Sequence, residues 1–264
     1  MTLFLYLDQE TFIHRLDPRT KLISAFLLWV LCLTFNHPLY LAAISSGVFL
    51  VAVRSRSLSN FWKLRAILAL LFFFSTLLWP FFVPGPTRWW AWGPFLLSRE
   101  SFLYGVAMGL RLATFVSIGL IFLSTTRNEE LTSGLIRMGL PYPMAFALST
   151  ALRLVPTFVG AGATIIQAQV SRGLDLETGN LFRRLSKFIP QAVPLFIYAF
   201  NQTNYLAMAL ESKGFDPGLK RTFYYELRMK PIDYLVLGFL CLVTVVLLYG
   251  RLGRSWGVLL PGRL

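Results

Sequence analysis

The stretch from Ala66 to Val83, AILALLFFFSTLLWPFFV, runs for 18 residues without a charged side chain, and Pro84, Gly85 and Pro86 stop it. A helix rises about 1.5 Å per residue, so about 20 apolar residues cross the roughly 30 Å hydrocarbon core of a bilayer. The run reads as a membrane span, and the rest of the chain agrees with it. Of 264 residues, 56% are hydrophobic, 16% aromatic and only 14% charged, and mean hydropathy is +0.61. Such a chain is solvated by lipid, which excludes a disordered protein, a secreted disulfide domain and an ordinary cytosolic enzyme. Cys32 and Cys241 both fall inside apolar runs, so they read as buried thiols rather than a disulfide or a metal pair.

Towards the N-terminus, Leu22 to Val53 gives 32 residues free of Lys, Arg, Asp and Glu, interrupted by Asn36, His37 and Pro38. That is short for two spans. A hairpin closes if one helix starts near Pro18, with Asp17 as its N-cap, and the other runs to about Leu58. Arg19, Lys21, Arg54 and Arg56 then snorkel to the headgroups. Asp8 and Glu10 sit close behind the apolar patch Leu3 to Leu7, so the basic start of a cleaved signal is missing and the first span is expected in the mature protein.

Towards the C-terminus, Trp89, Trp90 and Trp92 suit an aromatic belt at the interface. A fourth span is predicted over Leu103 to Thr125. It carries Gly105, Gly109, Ala113 and Ser117 at steps of four, a small-residue stripe that lets another helix approach closely. The last clear span is Tyr234 to Gly250. Uncharged runs also occur at Met138 to Leu152, Leu154 to Ser171 and Phe188 to Leu210, but Gln167, Gln169, Gln191, Asn201, Gln202, Thr203 and Asn204 are scattered through them.

Charge sets the orientation. With five spans and a cytoplasmic N-terminus, nineteen Lys and Arg fall inside against five outside, with Arg111 left within a helix. Twelve of the nineteen lie between Arg127 and Lys230. The predicted fold is therefore all-α and polytopic: residues 1–126 hold membrane helices one to four, residues 127–230 a cytoplasmic or interfacial domain of long helices, and residues 231–264 the last span and tail. The net charge of +13 is accounted for by cytoplasmic loops and anionic lipid, with no need of nucleic acid.

Within the inserted region one pattern occurs twice. Ser171, Arg172, Gly173, Leu174 and Asp175 match Ser212, Lys213, Gly214, Phe215 and Asp216, 41 residues apart. Each closes a long helical stretch, with glycine placed for a left-handed C′ conformation and a cation facing the negative end of the helix dipole. A dipole needs only some cation nearby. Repeating the small residue, the glycine, the apolar residue and the aspartate as well predicts two equivalent docking ends.

No Asp or Glu lies inside the five expected spans, so a proton relay or carboxylate cation site at the midplane has nothing to be built from. There is no Gly-x-x-x-x-Gly-Lys-Ser/Thr phosphate loop. His14 and His37 are too far apart in topology to share a metal.

His14, Arg15, Leu16, Asp17, Pro18, Arg19, Thr20, Lys21 and Leu22, together with Leu152, Arg153, Leu154, Val155, Pro156 and the two glycine motifs, resemble the transmembrane T component of energy-coupling factor transporters. The resemblance covers nearly the whole chain. It implies a helical membrane domain with a cytoplasmic coupling domain of long crossed helices. Two Ala-Arg-Gly motifs would dock on paired ABC-type ATPase subunits, which bind ATP and Mg, so this chain would hold no cofactor. It also implies a separate substrate-binding S subunit for a vitamin or a transition metal, in the plasma membrane of a prokaryote.

On that resemblance Arg172 and Lys213 take the basic positions, followed by Gly173 and Gly214. Ser171 and Ser212 stand where the family has alanine. Lys213 stands where it has arginine and lacks the planar fork, which bears on geometry at the second dock and on whether the two ATPases are identical. Arg111, alone in its span, is a candidate contact to the S subunit or a cation satisfied by carbonyls of a neighbouring helix. Two other functions are alternatives. A lipid-acting enzyme would need a nucleophile or paired acids near the interface, and Asp175 with Asp216 is the only matched acidic pair; a stand-alone channel or carrier meets the lack of any midplane Asp or Glu.

Overall fold

Asp17 and Pro18 start the first helix as their chemistry requires. In α1 (Pro18–Thr34) the Asp17 side chain accepts the Arg19 N–H at 3.0 Å, and Pro18 fills the first helical position, where no N–H is needed. The structure is a computed structural model that describes residues 6–9, 11–83, 88–92, 95–174, 180–216, 218 and 229–254. After α1 come α2 (Pro38–Arg54) and α3 (Leu58–Phe82), a short antiparallel hairpin of β1 (Arg88–Trp92) and β2 (Phe95–Ser98), and then α4 (Arg99–Thr125). The remaining helices are α5 (Asn128–Arg137), α6 (Tyr142–Ser171), α7 (Leu181–Ser212) and α8 (Pro231–Arg254). The hairpin is an addition to an otherwise helical architecture and covers the stretch expected to be a tryptophan-rich loop.

Two helix boundaries differ from expectation. The second helix stops at Arg54 instead of near Leu58, because Ser55 and Ser57 both donate their hydroxyls to the Ala52 carbonyl, at 3.0 and 3.2 Å, and Arg56 turns to φ 53°. The third helix therefore begins at Leu58 rather than Ala66 and reaches 25 residues. Its polar first turns are used: Asn60 is buried and donates to Ser124 Oγ at 2.8 Å.

Length and composition make α3, α4, α6 and α8 long and apolar enough to cross a membrane. At 17 residues each, α1 and α2 extend about 25 Å, just short of the hydrocarbon thickness. The helices selected in this way share α3, α4 and α8 with the five expected spans. They differ at α6, whose Gly- and Ala-rich 30 residues were expected under the membrane.

The chain divides into two compact units. The first comprises Met1–Gly134 and Leu227–Leu264, the second Leu135–Glu226. In the first unit α4 is central, packing on α3, α2 and α1. One buried cluster joins Ala25, Cys32, Val48, Ala52, Ile118 and Ile121, and a second joins Leu31, Phe35, Leu41 and Ala107. The small-residue stripe works as predicted over its first half. A Cβ on Gly105 would stand 2.8 Å from the Thr76 carbonyl, and one on Gly109 would stand 2.6 Å from Thr76 Oγ1 and 2.8 Å from the Phe72 carbonyl. Backbone contact this close, running antiparallel, is what glycine at steps of four permits. Ala113 and Ser117 instead open onto a groove of about 410 Å³ shared with Ser45, Ser46, Phe49 and Phe61. Outward, Leu70, Phe73, Leu77 and Phe82 of α3 and Leu235, Phe239, Leu242 and Val246 of α8 are exposed, a surface that hydrocarbon solvates and water does not.

The second unit is built on α6 and α7. Phe146 and Phe215 approach with ring centroids 4.9 Å apart, and Phe158 meets Tyr198 edge-on at 6.1 Å. Contacts that pair early α6 with the end of α7, and mid α6 with mid α7, make the two helices antiparallel. Pro156, Pro190 and Pro194 lie inside them without ending them.

Candidate functional site

Both copies of the repeated pattern close their helices with the same pair of backbone bonds. At the end of α6, Arg172 is the C-cap and Gly173 takes φ +90°; Gly173 N–H donates to Val170 O at 2.9 Å and Leu174 N–H to Gln169 O at 3.0 Å. At the end of α7, Lys213 is the C-cap and Gly214 takes φ +67°; Gly214 N–H donates to Glu211 O at 2.9 Å and Phe215 N–H to Leu210 O at 3.0 Å. This pair of bonds is the Schellman motif. A Cβ at Gly173 or Gly214 would meet nothing within 4 Å, so among the described residues positive φ, and not crowding, is what calls for glycine there.

The other members of the pattern look after themselves. Ser171 Oγ donates to Gln167 O and Ser212 Oγ to Ala209 O, each at 3.0 Å. Asp216 Oδ1 accepts the Gly218 N–H at 2.8 Å, as in a local turn. Asp175 lies outside the described residues. Arg172 and Lys213 are both exposed, so each end presents a cation at the rim of a rigid, glycine-closed terminus.

The antiparallel packing of α6 and α7 places these ends far apart. Lys213 closes α7 beside Phe146, near the start of α6, whereas Arg172 closes α6 itself. Counted along α6, the two ends are separated by on the order of 40 Å. One compact ligand cannot touch both. The sequence showed the two matched ends but not their separation, which depends on the pairing of Phe146 with Phe215.

Arg111 sits midway along α4 and is used within the chain. Its guanidinium donates to Phe35 O at 2.6 Å and to Asn36 Oδ1 at 2.5 Å. Phe35 is the C-cap of α1, which has no basic residue in its own last turn. Arg111 thus supplies from a neighbouring helix the cation that the α1 dipole lacks.

Lys21 departs from expectation. Its position at the start of the first span predicts snorkelling to the headgroups, yet it is buried and its Nζ donates to His14 O at 2.9 Å and to Thr125 O at 2.8 Å, with Glu130 at 3.7 Å. The last-turn carbonyl of α4 and the loop before α1 hold it down, since both leave acceptors unpaired. Sequence reasoning also missed Asp233, buried at 1% exposure, whose Oδ1 accepts Asp17 N–H at 3.0 Å and whose Oδ2 accepts Lys230 N–H at 2.8 Å. Its place two residues after Pro231 was the available signal. Among the described residues no group of His, Cys, Asp and Glu could hold a metal ion.

A membrane unit organised around one central helix, joined to a second unit of long paired helices with matched cationic ends, defines an all-helical polytopic membrane protein. The chain belongs to the CbiQ family, described as cobalt transport protein, which matches residues 9–225. Among curated proteins it is 32% identical over 251 residues to the energy-coupling factor transporter transmembrane protein EcfT of Brevibacillus brevis, covering 92% of this chain and 93% of that one. It is 33% identical over 261 residues to the protein of that name in Thermanaerovibrio acidaminovorans, covering 94% and 96%. To the Lacticaseibacillus paracasei EcfT it is 29% identical, covering 93% and 97%.

Proposed function

We propose that this chain is the non-catalytic coupling subunit of an energy-coupling factor importer in a prokaryotic plasma membrane, with its N-terminus in the cytoplasm. Two ABC-type ATPase subunits dock on it, one at the Arg172 end of α6 and one at the Lys213 end of α7. They bind the ATP and Mg. A separate S subunit binds the substrate, a micronutrient of the vitamin or transition-metal class, and receives the motion through this chain.

The observation that carries this reading is the pair of helix endings closed by the same Schellman bonds and held on the order of 40 Å apart on antiparallel helices. Two equal, distant cationic ends suit two equivalent partners, and a cation on a rigid terminus complements an acidic groove. Placing α6 and α7 at the cytoplasmic side agrees with the twelve Lys and Arg between Arg127 and Lys230. α6 then spends its apolar face on α7 and the partners rather than on lipid.

The test is to co-express the chain with a pair of ABC ATPases and an S subunit encoded beside it and to weigh the complex by native mass spectrometry. Two ATPase chains per copy of this chain are expected, with no ATP hydrolysis by this chain alone. Saturable uptake by this chain reconstituted alone in liposomes would refute the reading.

A further inference from the structure

The run from His14 to Leu22 carries much of the family resemblance, yet the docking ends make no use of it. The structure brings its residues to the two places where the chain leaves the first unit and returns to it. On the departing side, Lys21 holds Thr125 O at the end of α4 and faces Glu130 in α5 at 3.7 Å. A Cβ on Gly134 would stand 3.1 Å from Pro18 Cβ. On the returning side, Asp233 is the third residue of α8 and reaches back to the Lys230 N–H, closing the α8 N-terminus as the acid of a capping box does. Its other oxygen accepts the backbone N–H of Asp17, the N-cap of α1.

One carboxylate therefore joins the N-termini of two helices, and one ammonium closes the C-terminus of a third. Each charge sits at the helix end of opposite sign. Asp17, Lys21 and Asp233 are all buried, at 6%, 6% and 1% exposure, and each is held by its own partners: Asp17 by Arg19 at 3.8 Å, Lys21 by two carbonyls and Glu130, Asp233 by two backbone N–H groups. The two sides are joined through the first turn of α1, which carries both Asp17 and Lys21.

We propose that the Asp17–Lys21 turn is a clamp that fixes both connections to the second unit on the start of α1, so that Lys21 and Asp233 act as positioning residues for force arriving from that unit. The clamp itself stands on the contacts above. Its role in transmitting force rests on the proposed coupling function.

The test uses the full chain in lipid nanodiscs and reads amide hydrogen exchange in residues 128–134 and 229–233. Lys21→Met removes the ammonium at similar length. Gly134→Val leaves every charge in place and wedges α5 away from Pro18, which keeps the test alive if the first variant does not fold. Exchange is expected to rise by roughly tenfold or more on both segments in each folded variant, because the local opening free energy falls on both sides together. Faster exchange confined to residues 128–134, with residues 229–233 unchanged, would overturn the clamp. In the assembled complex, Lys21→Met should retain its ATPases while substrate imported per ATP hydrolysed falls severalfold; an unchanged ratio would overturn the force-transmitting role. If the unmodified chain binds no ATPase, it is the coupling function that fails, and the exchange result still decides the clamp.

Discussion

Single residues already separate structural from functional roles. Gly173 and Gly214 stand at positive φ with open space around them, so Gly→Ala at either should cost about 1 to 2 kcal/mol through backbone conformation alone. The measurement is hydrogen exchange at the ends of α6 and α7. Arg111→Leu forfeits two charge-assisted bonds, each worth roughly 1.5 to 3 kcal/mol, and frees the α1 C-terminus. The expected outcome is a lower melting temperature in detergent with the S subunit still retained by what folds. A stable subunit that loses its S partner would instead assign Arg111 to the partner.

His14 adds a pH dependence at the same scale. Its ring contacts Thr11 Oγ1 at 2.6 Å and Leu7 O at 3.1 Å, and its pKa lies below the ordinary 6.5, chiefly through burial and secondarily through nearby Lys21, with the Leu7 carbonyl opposing. The folded form thus disfavours the proton. Its stability contribution is complete above pH 6.5 and is lost as pH falls through the lowered value. Proteolysis of the segment before α1 should accelerate on acidification below 6.5, and His14→Gln should flatten that response.

At the scale of elements, the α3–α4 contact is the one most intolerant of volume. Gly109→Ala would drive a methyl to 2.6 Å from Thr76 Oγ1 and 2.8 Å from the Phe72 carbonyl, and backbone cannot step aside as a side chain can. Overpacking of this kind costs about 1 to 3 kcal/mol, whereas Gly47→Ala on α2, with nothing within 4 Å, should be neutral or mildly stabilising. Thermal unfolding of both in the same detergent checks the contrast. The element scale is also where sequence was most and least legible. Asp17 and Pro18 announced the start of α1, and the Gly105, Gly109 stripe announced a close helix contact on α4, because caps and small-residue steps are local signals. The end of α2 escaped because Ser55 and Ser57 act through hydroxyl bonds that composition does not display. Lys21 escaped because its partners, Thr125 O and Glu130, are more than a hundred residues away. The character of α6 stayed open because Gly and Ala satisfy both a membrane span and a helix that packs on another.

For the whole molecule, the deciding quantity for the proposed docking is the distance between the two matched helix ends. Arg172 and Lys213 close antiparallel helices on the order of 40 Å apart, and sites so distant, with no shared partner, perturb binding additively. On the proposed docking role, Arg172→Glu removes a cation from an acidic ATPase groove and also sets an anion against the negative end of α6. Loss of one charge-assisted contact, about 1.5 to 3 kcal/mol, weakens that dock by roughly tenfold to a hundredfold before repulsion is added. Arg172→Ala, the control, should shift helix stability by only about 0.3 to 1 kcal/mol. Lys213→Glu should do the same at the other end. Each single reversal is expected to leave one ATPase on the complex and the double reversal none, read as subunit stoichiometry by native mass spectrometry. If either single reversal released both ATPases, the two ends would belong to one cooperative site, and two independent docks would be the wrong description.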